Sequence, residues 1–177
     1  MKVLVLTGSP HKHGSTDLLA GEFIRGAKEA GHEVTRFDAA FSDIRPCLGC
    51  DGCCESGVCV QKDDMAKVLD ALMEADLVAL ATPLYYYGIS AQLKAVIDRF
   101  YAKDAAIHEK RHKAVLLAPA AATDDWTMEA LESHFKIICR YLNWKEYGKV
   151  LATGCGSVEL TKASVYPQKA YELGLGL

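Results

Sequence analysis

The first stretch of the chain, through Thr16, constrains the fold more than any other. Val3 to Leu6 form an unbroken apolar run, too short for a buried helix and without alternation, which reads as a strand covered on both faces. A turn rich in Gly, Ser and Pro follows, Gly8-Ser9-Pro10-His11-Lys12-His13-Gly14-Ser15-Thr16, and then Leu19, Phe23, Ile24 and Ala27 recur at helical spacing. A buried strand that runs through a hydroxyl-rich loop into a helix is a place for a phosphate. The first-turn N–H groups lack partners, and the helix dipole favours an anion there. Ser9, Ser15 and Thr16 offer hydroxyls; Lys12, with His11 or His13, offers charge. The plainer alternative is that Ser15 or Thr16 only caps the helix. The order strand, loop, helix favours the phosphate.

The remaining elements follow the same alternation. Glu33 to Phe37 reads as a second strand, and residues 39–62 as an unusually long loop. Asp63-Asp64 opens a helix with Met65, Val68, Leu69, Leu72 and Met73 on one face. Leu77 to Ala81 is a third strand, followed by a helix carrying Leu93, Val96, Ile97 and Phe100; Ala114 to Ala118 is a fourth. A helix over 127–142, a short fifth strand over 149–153 and a last helix over 166–173 complete the chain. Strands alternating with helices predict an α/β, doubly wound, five-stranded parallel sheet in one domain over residues 1–177. With a net charge of −3 and no basic block, nucleic-acid binding has no electrostatic footprint. No apolar segment reaches membrane-spanning length and no signal-peptide profile opens the chain, so a cytoplasmic protein is expected.

In such a sheet, ligands sit beyond the carboxyl ends of the strands. Three loops leave those ends: residues 8–16, 82–88 and 119–125. Gly8 and Gly14 are separated by five residues, one more than a nucleotide-triphosphate P-loop has, and Ser15 stands where its lysine should be. No G-x-G-x-x-G is present either. Hydroxyls and amides with little fixed charge suit the terminal phosphate of a mononucleotide. In the second loop, Tyr85, Tyr86 and Tyr87 stand between Pro83-Leu84 and Gly88. Pro83 restricts the backbone and Gly88 permits an unusual dihedral or a close approach. A stacked planar ring system would account for so many aromatics at a loop tip; burial against a second subunit is the alternative.

These motifs resemble the flavodoxin-like NADPH-dependent FMN reductase family. Gly8-Ser9-Pro10…Gly14-Ser15-Thr16 is similar to its phosphate loop, with His11 and Ser15 standing where arginine and asparagine are usual. Pro83-Leu84-Tyr85-Tyr86-Tyr87-Gly88 resembles its isoalloxazine loop. The resemblance implies FMN as cofactor, with Pro83, Leu84, Tyr85, Tyr86 and Gly88 lining the flavin. Pro119-Ala120-Ala121-Ala122-Thr123 departs from the glycine-containing third loop of that family.

Five of seven cysteines fall between residues 47 and 59, in a loop spanning 45–62. Such crowding in a cytosolic chain points to metal ligands or catalytic groups rather than disulfides. Cys47, Cys50, Cys53 and Cys59 are spaced C-x2-C-x2-C-x5-C, which suits a cubane cluster; zinc sites usually separate two pairs. Redox-active or merely buried thiols remain a further reading, and Cys54 is surplus in this spacing. Arg45-Pro46-Cys47 through Cys59 to Asp63-Asp64-Met65 resembles the iron–sulfur flavoprotein branch of the same family, which implies a 4Fe–4S cluster on those four cysteines. Cys139 falls within a helix and is expected in the core, whereas Cys155 has no assigned role.

The expected activity is that of a flavin-dependent oxidoreductase. Electrons would come from NAD(P)H or a reduced ferredoxin and pass to a small-molecule or protein acceptor. No residue is needed as acid or base. A phosphatase of this fold is excluded, because no cysteine has an arginine six positions on. A flavin-only reductase and a non-enzymatic metal-binding or electron-carrier module are the alternatives. The resemblance also implies a homodimer or homotetramer.

Overall fold

A computed structural model describes residues 1–177. Five parallel strands, β1 (Lys2–Thr7), β2 (Glu33–Asp38), β3 (Leu77–Ala81), β4 (Lys113–Pro119) and β5 (Lys145–Ala152), form one sheet in the order β2-β1-β3-β4-β5. This is the flavodoxin-like order, with its switch between β1 and β3. Register follows the apolar runs: Leu6 lies opposite Phe37 and Leu80, Leu80 opposite Leu116, and Leu117 opposite Val150.

Alternate residues of the central strands feed two cores. Leu4, Leu6, Val78, Leu80, Ala114 and Leu116 pack beneath α2 (Met65–Glu74), α3 (Ala91–Asp98), α4 (Asp104–Lys110) and α5 (Glu129–Tyr141). Val3, Val5, Leu77, Ala79, Val115 and Leu117 pack on the other face against α1 (Ser15–Glu29) and α7 (Tyr166–Leu175). Both faces are covered, as the unbroken apolar runs require. Cys139 belongs to the first core, where burial pushes its thiol up to about 12.

Three features depart from the sequence reading. The helix after the aromatic loop stops at Asp98 and continues as a 3-10 turn over Arg99–Lys103, which carries Phe100, and then as α4. A short helix, α6 (Val158–Ala163), follows β5. β5 itself begins at Lys145 rather than near Lys149, because its first residues lie exposed at the sheet edge, where apolar pattern carries no signal. A bulge at Ala114/Val115 accommodates the extra length.

Candidate functional site

The site begins at the carboxyl end of β1. Gly8 N–H donates to Ala81 O at 2.9 Å and Gly8 O accepts from Ser90 Oγ at 2.8 Å, which ties the first loop to β3 and to the start of α3. Ser9 Oγ then accepts from the amide of His11 at 3.2 Å, and His13 takes a left-handed φ of 59° before Gly14. Gly14 is the N-cap of α1 with no side-chain cap bond, so neither Ser15 nor Thr16 caps the helix. The amides of Ser15, Thr16 and Asp17 find no backbone acceptor. They are free to meet an anion.

The second loop is held by Thr82. Its hydroxyl accepts from Ser90 N at 2.9 Å and donates to Pro83 O at 2.9 Å, while Leu84 N donates to Pro119 O at 3.1 Å. Tyr85 and Gly88 exchange backbone hydrogen bonds of 3.3 and 3.1 Å, and Tyr86 and Tyr87 form the two-residue turn between them. The unusual dihedrals expected at Gly88 fall instead on Tyr86 (φ 45°) and Tyr87 (φ 61°). A tyrosine in that region costs roughly 1–2 kcal/mol relative to glycine.

A cleft of about 500 Å³ joins these loops. Ser9, His11, Lys12, Ser15 and Thr16 border one end, and Pro83, Leu84 and Tyr85 the other. Tyr86 does not border it: this side chain is fully exposed at the loop tip. Gly88 does not line the cleft either; it closes the turn that presents Tyr85. Pro119, Ala120 and Ala121 supply the floor, so the third loop takes part without its glycine.

A fourth wall comes from outside the three loops that the sequence singles out. Cys155, Gly156, Ser157 and Val158 close the cleft from the end of β5, anchored by Cys155 N donating to Ala120 O at 2.7 Å. Ser15 Oγ donates to Cys155 O at 3.1 Å and lies 2.8 Å from Thr161 Oγ1, so this hydroxyl binds α1 to the fourth wall. Lys12 turns its ammonium over the Phe41 ring, 4.7 Å from the centroid, towards a smaller pocket containing Asp17, Arg36 and Asp38. Burial lowers the Arg36 pKa, but Asp38 and Asp17 more than offset it and hold the guanidinium charged. A sequence signal for the fourth wall exists in Gly154-x-Gly156-Ser157 after an apolar strand, the same pattern as the first loop on a smaller scale.

The cysteine loop lies on the α2–α3 side. Cys47, Cys50 and Cys54 are exposed, while Cys53 and Cys59 are half-buried against the core. Burial pushes the Cys53 thiol up, and the neighbouring Cys54, Cys59 and Cys47 add to the effect. No group of three or more His, Cys, Asp or Glu side chains is arranged to hold a metal ion. The donor chemistry nevertheless suits iron–sulfur ligation, being thiols alone. Gly49 (φ 61°) and Gly57 (φ 65°) take left-handed turns that wrap the loop.

Beneath the loop lies a buried ion pair. Arg99 donates to both oxygens of Asp63, at 2.9 and 3.1 Å, and to Arg45 O at 2.8 Å. Burial raises the Asp63 pKa, but Arg99 and the amides of Arg45 and Met65 hold it below the usual carboxylate value. Asp63, expected only to start a helix, anchors both ends of the cysteine loop through Arg45 and Arg99. The 3-10 turn carrying Arg99 is the loop's floor: Tyr101 OH lies 3.7 Å from Cys54 Sγ, which drives the phenol up to about 12.

Known proteins of similar sequence and shape bear on this geometry. The chain is 40% identical over 99 residues to an iron–sulfur flavoprotein of Methanocaldococcus jannaschii, covering 56% of this chain and 51% of that one. It is 35% identical over 122 residues to an iron–sulfur flavoprotein of Archaeoglobus fulgidus, covering 69% and 62%. The matched region therefore spans about half the length of the first of these relatives. Among solved structures, the NAD(P)H:quinone oxidoreductase from Methanothermobacter marburgensis superposes with a TM-score of 0.80 at 20% identity, covering 99% and 95% of the two chains. That likeness is one of fold. No helix is long and apolar enough to cross a membrane. The chain belongs to the NADPH-dependent FMN reductase family, whose model it matches over residues 1–156.

Proposed function

We propose that this chain binds FMN in the four-walled cleft and acts as a cytoplasmic flavin-dependent oxidoreductase. It takes electrons from NAD(P)H or a reduced ferredoxin and delivers them to a small-molecule or protein acceptor. The observation that carries this reading is the cleft itself. Unpartnered first-turn amides of a long helix stand at one end and Pro83, Leu84 and Tyr85 at the other, in a chain of the FMN reductase family. FMN, when bound there, would supply hydride acceptance and single-electron release. The chain's own groups bind and orient. Ser9 and Thr16, with the free amides and the bordering His11 and Lys12, would hold the phosphate; Pro83, Leu84 and Tyr85 with the 119–121 floor would hold the ring. The exposed aromatics Tyr86, Tyr87 and Trp126 beside the cleft favour assembly as a homodimer or homotetramer that covers them.

We further propose that Cys47, Cys50, Cys53 and Cys59 carry a 4Fe–4S cluster. Their spacing, the wrapped loop and the names of the relatives support it. Such a cluster supplies a one-electron relay. A second reading, a flavin-only reductase with thiols that ligate nothing, is favoured by the scatter of the thiols, of which Cys47 and Cys50 are exposed while Cys53 and Cys59 are half-buried.

Titration of the apoprotein tests the cleft. FMN should bind in preference to FAD or ATP, and Ser9→Ala with Thr16→Ala should weaken it, each lost hydrogen bond to a charged group being worth about 1.5–3 kcal/mol. Equal affinity in the wild type and the double variant would remove the phosphate from this loop. An absorbance spectrum of anaerobically purified protein separates the two readings of the cysteines: flavin bands alone after reconstitution favour the second.

A further inference from the structure

Thr161 is wholly buried, belongs to no motif in the chain and lies beyond residues 1–156, which match the family. Its hydroxyl stands 2.8 Å from Ser15 Oγ and 2.7 Å from the carbonyl of Ser157. Ser15 Oγ in turn lies 3.1 Å from the carbonyl of Cys155. Two hydroxyls supply only two hydrogens for these three contacts. The backbone decides which contact goes without. Ser157 O already accepts from Thr161 N at 3.0 Å, whereas Cys155 O has no donor but Ser15. Leaving the carbonyl of a buried residue without a donor costs more than a second bond to a satisfied one contributes. The hydrogens therefore run from Thr161 to Ser15 and from Ser15 to Cys155 O.

We propose that Thr161 is a positioning residue for the cofactor cleft: through Ser15 it ties the fourth wall, residues 155–158, to the start of α1. The proposal rests on reading the cleft as the FMN site. Its consequence falls on Ser15. That residue stands in the first loop, beside the free amides, but its one hydrogen is committed to the wall and none is left to donate to a phosphate. The wall is also fixed to the floor. Cys155 N donates to Ala120 O at 2.7 Å, and a Cβ on Gly156 would stand 2.9 Å from that of Ala121. The wall thus spans from the floor, which would hold the ring, to the helix whose amides would meet the phosphate. Releasing it at Thr161 loosens the cleft around the whole ligand and not around the phosphate alone.

Riboflavin, which lacks the phosphate, separates this role from direct phosphate binding. The full chain, freed of flavin, is titrated with FMN and with riboflavin by fluorescence quenching. Thr161→Val keeps a branched side chain and removes the hydroxyl. It should weaken both ligands by the same factor, roughly two- to tenfold, the worth of one neutral hydrogen bond. Ser15→Ala should do the same, and Thr161→Ser, which keeps the hydroxyl, should bind both as wild type does. Ser9→Ala with Thr16→Ala should instead weaken FMN and spare riboflavin, the pattern of a lost phosphate contact. Loss of FMN affinity alone in Ser15→Ala would make Ser15 a phosphate ligand and overturn the proposal. So would wild-type affinity for both flavins in Thr161→Val, or in Ser15→Ala if the buried substitution does not fold. A wild-type protein that binds neither flavin would overturn the FMN reading of the cleft, and this proposal with it.

Discussion

The hydroxyl of Ser90 donates a 2.8 Å hydrogen bond to the carbonyl of Gly8, joining residues 82 positions apart beneath the first loop. The same oxygen accepts from Leu93 N at 3.5 Å as the N-cap of α3. One side chain therefore starts a helix and holds the first loop against it.

That contact leaves no room for a side chain at position 8. A Cβ there would stand 2.5 Å from Leu93 Cβ and closer still to Ser90 Oγ. Gly8→Ala is expected to cost about 1–3 kcal/mol by overpacking and to weaken FMN by displacing the loop. Urea unfolding and flavin titration measure the two effects. Full stability in the variant would mean that the loop has slack the packing does not suggest.

The tyrosine turn separates strain from packing. Tyr86 is fully exposed with a positive φ, so Tyr86→Gly should stabilise the protein by on the order of 1 kcal/mol. Tyr87 shares the positive φ, but its ring packs on Trp126 with centroids 5.0 Å apart. For Tyr87→Gly the lost aromatic pair, about 0.5–1.5 kcal/mol, cancels most of the relief. Thermal unfolding of the two variants should rank Tyr86→Gly above Tyr87→Gly; the opposite order would contradict this account.

For the cysteines, replacing any one of Cys47, Cys50, Cys53 or Cys59 by alanine should abolish iron uptake. Cys54→Ala should keep about four irons and four sulfides per chain, the content of a cubane site. Cys54 instead neighbours Tyr101 and Asp51, at 3.7 and 3.8 Å. Iron and acid-labile sulfide assays after anaerobic reconstitution decide it, and iron loss in the Cys54 variant would reassign the fourth ligand.

Acid should destabilise the protein in two stages. His112 is buried edge-on against Trp144, 5.2 Å between centroids, and burial pushes its pKa from 6.5 down to about 4. The unfolded chain takes up this proton first, so stability begins to fall below pH 6.5 and the loss, about 3 kcal/mol, is complete below about pH 4. Asp63 has a lowered pKa, so its contribution holds above its ordinary value of 3.8 and is lost as pH falls through the lower folded value. His112→Phe should remove the first stage and leave the second. Unfolding midpoints between pH 7 and pH 3 would show an unchanged first stage if His112 is not its source.

Much of the fold and part of the site are legible in the amino-acid sequence. The runs Val3–Leu6, Leu77–Ala81 and Ala114–Ala118 are buried on both faces, so their composition alone announces central parallel strands. The strand–loop–helix order of the first loop is equally readable, because strand, glycine, hydroxyls and helix are contiguous in the chain. Cysteine spacing names the candidate ligands for the same reason: spacing is a local property.

What the tertiary structure alone decided lies between residues far apart in the chain. Arg99 belongs to no motif in the chain, and only the tertiary structure buries it against Asp63, to both of whose oxygens it donates. Ser15 reads as a phosphate ligand or a cap, yet its hydroxyl bridges to Cys155 across 140 positions. Tyr86 reads as a wall of the cleft, but a left-handed turn that no residue preference announces points it outward. Periodicity and turn chemistry report what the backbone does within about ten residues. Which buried donor meets which acceptor depends on how the strands are ordered and the helices laid across them, and that is settled only when the whole chain has packed.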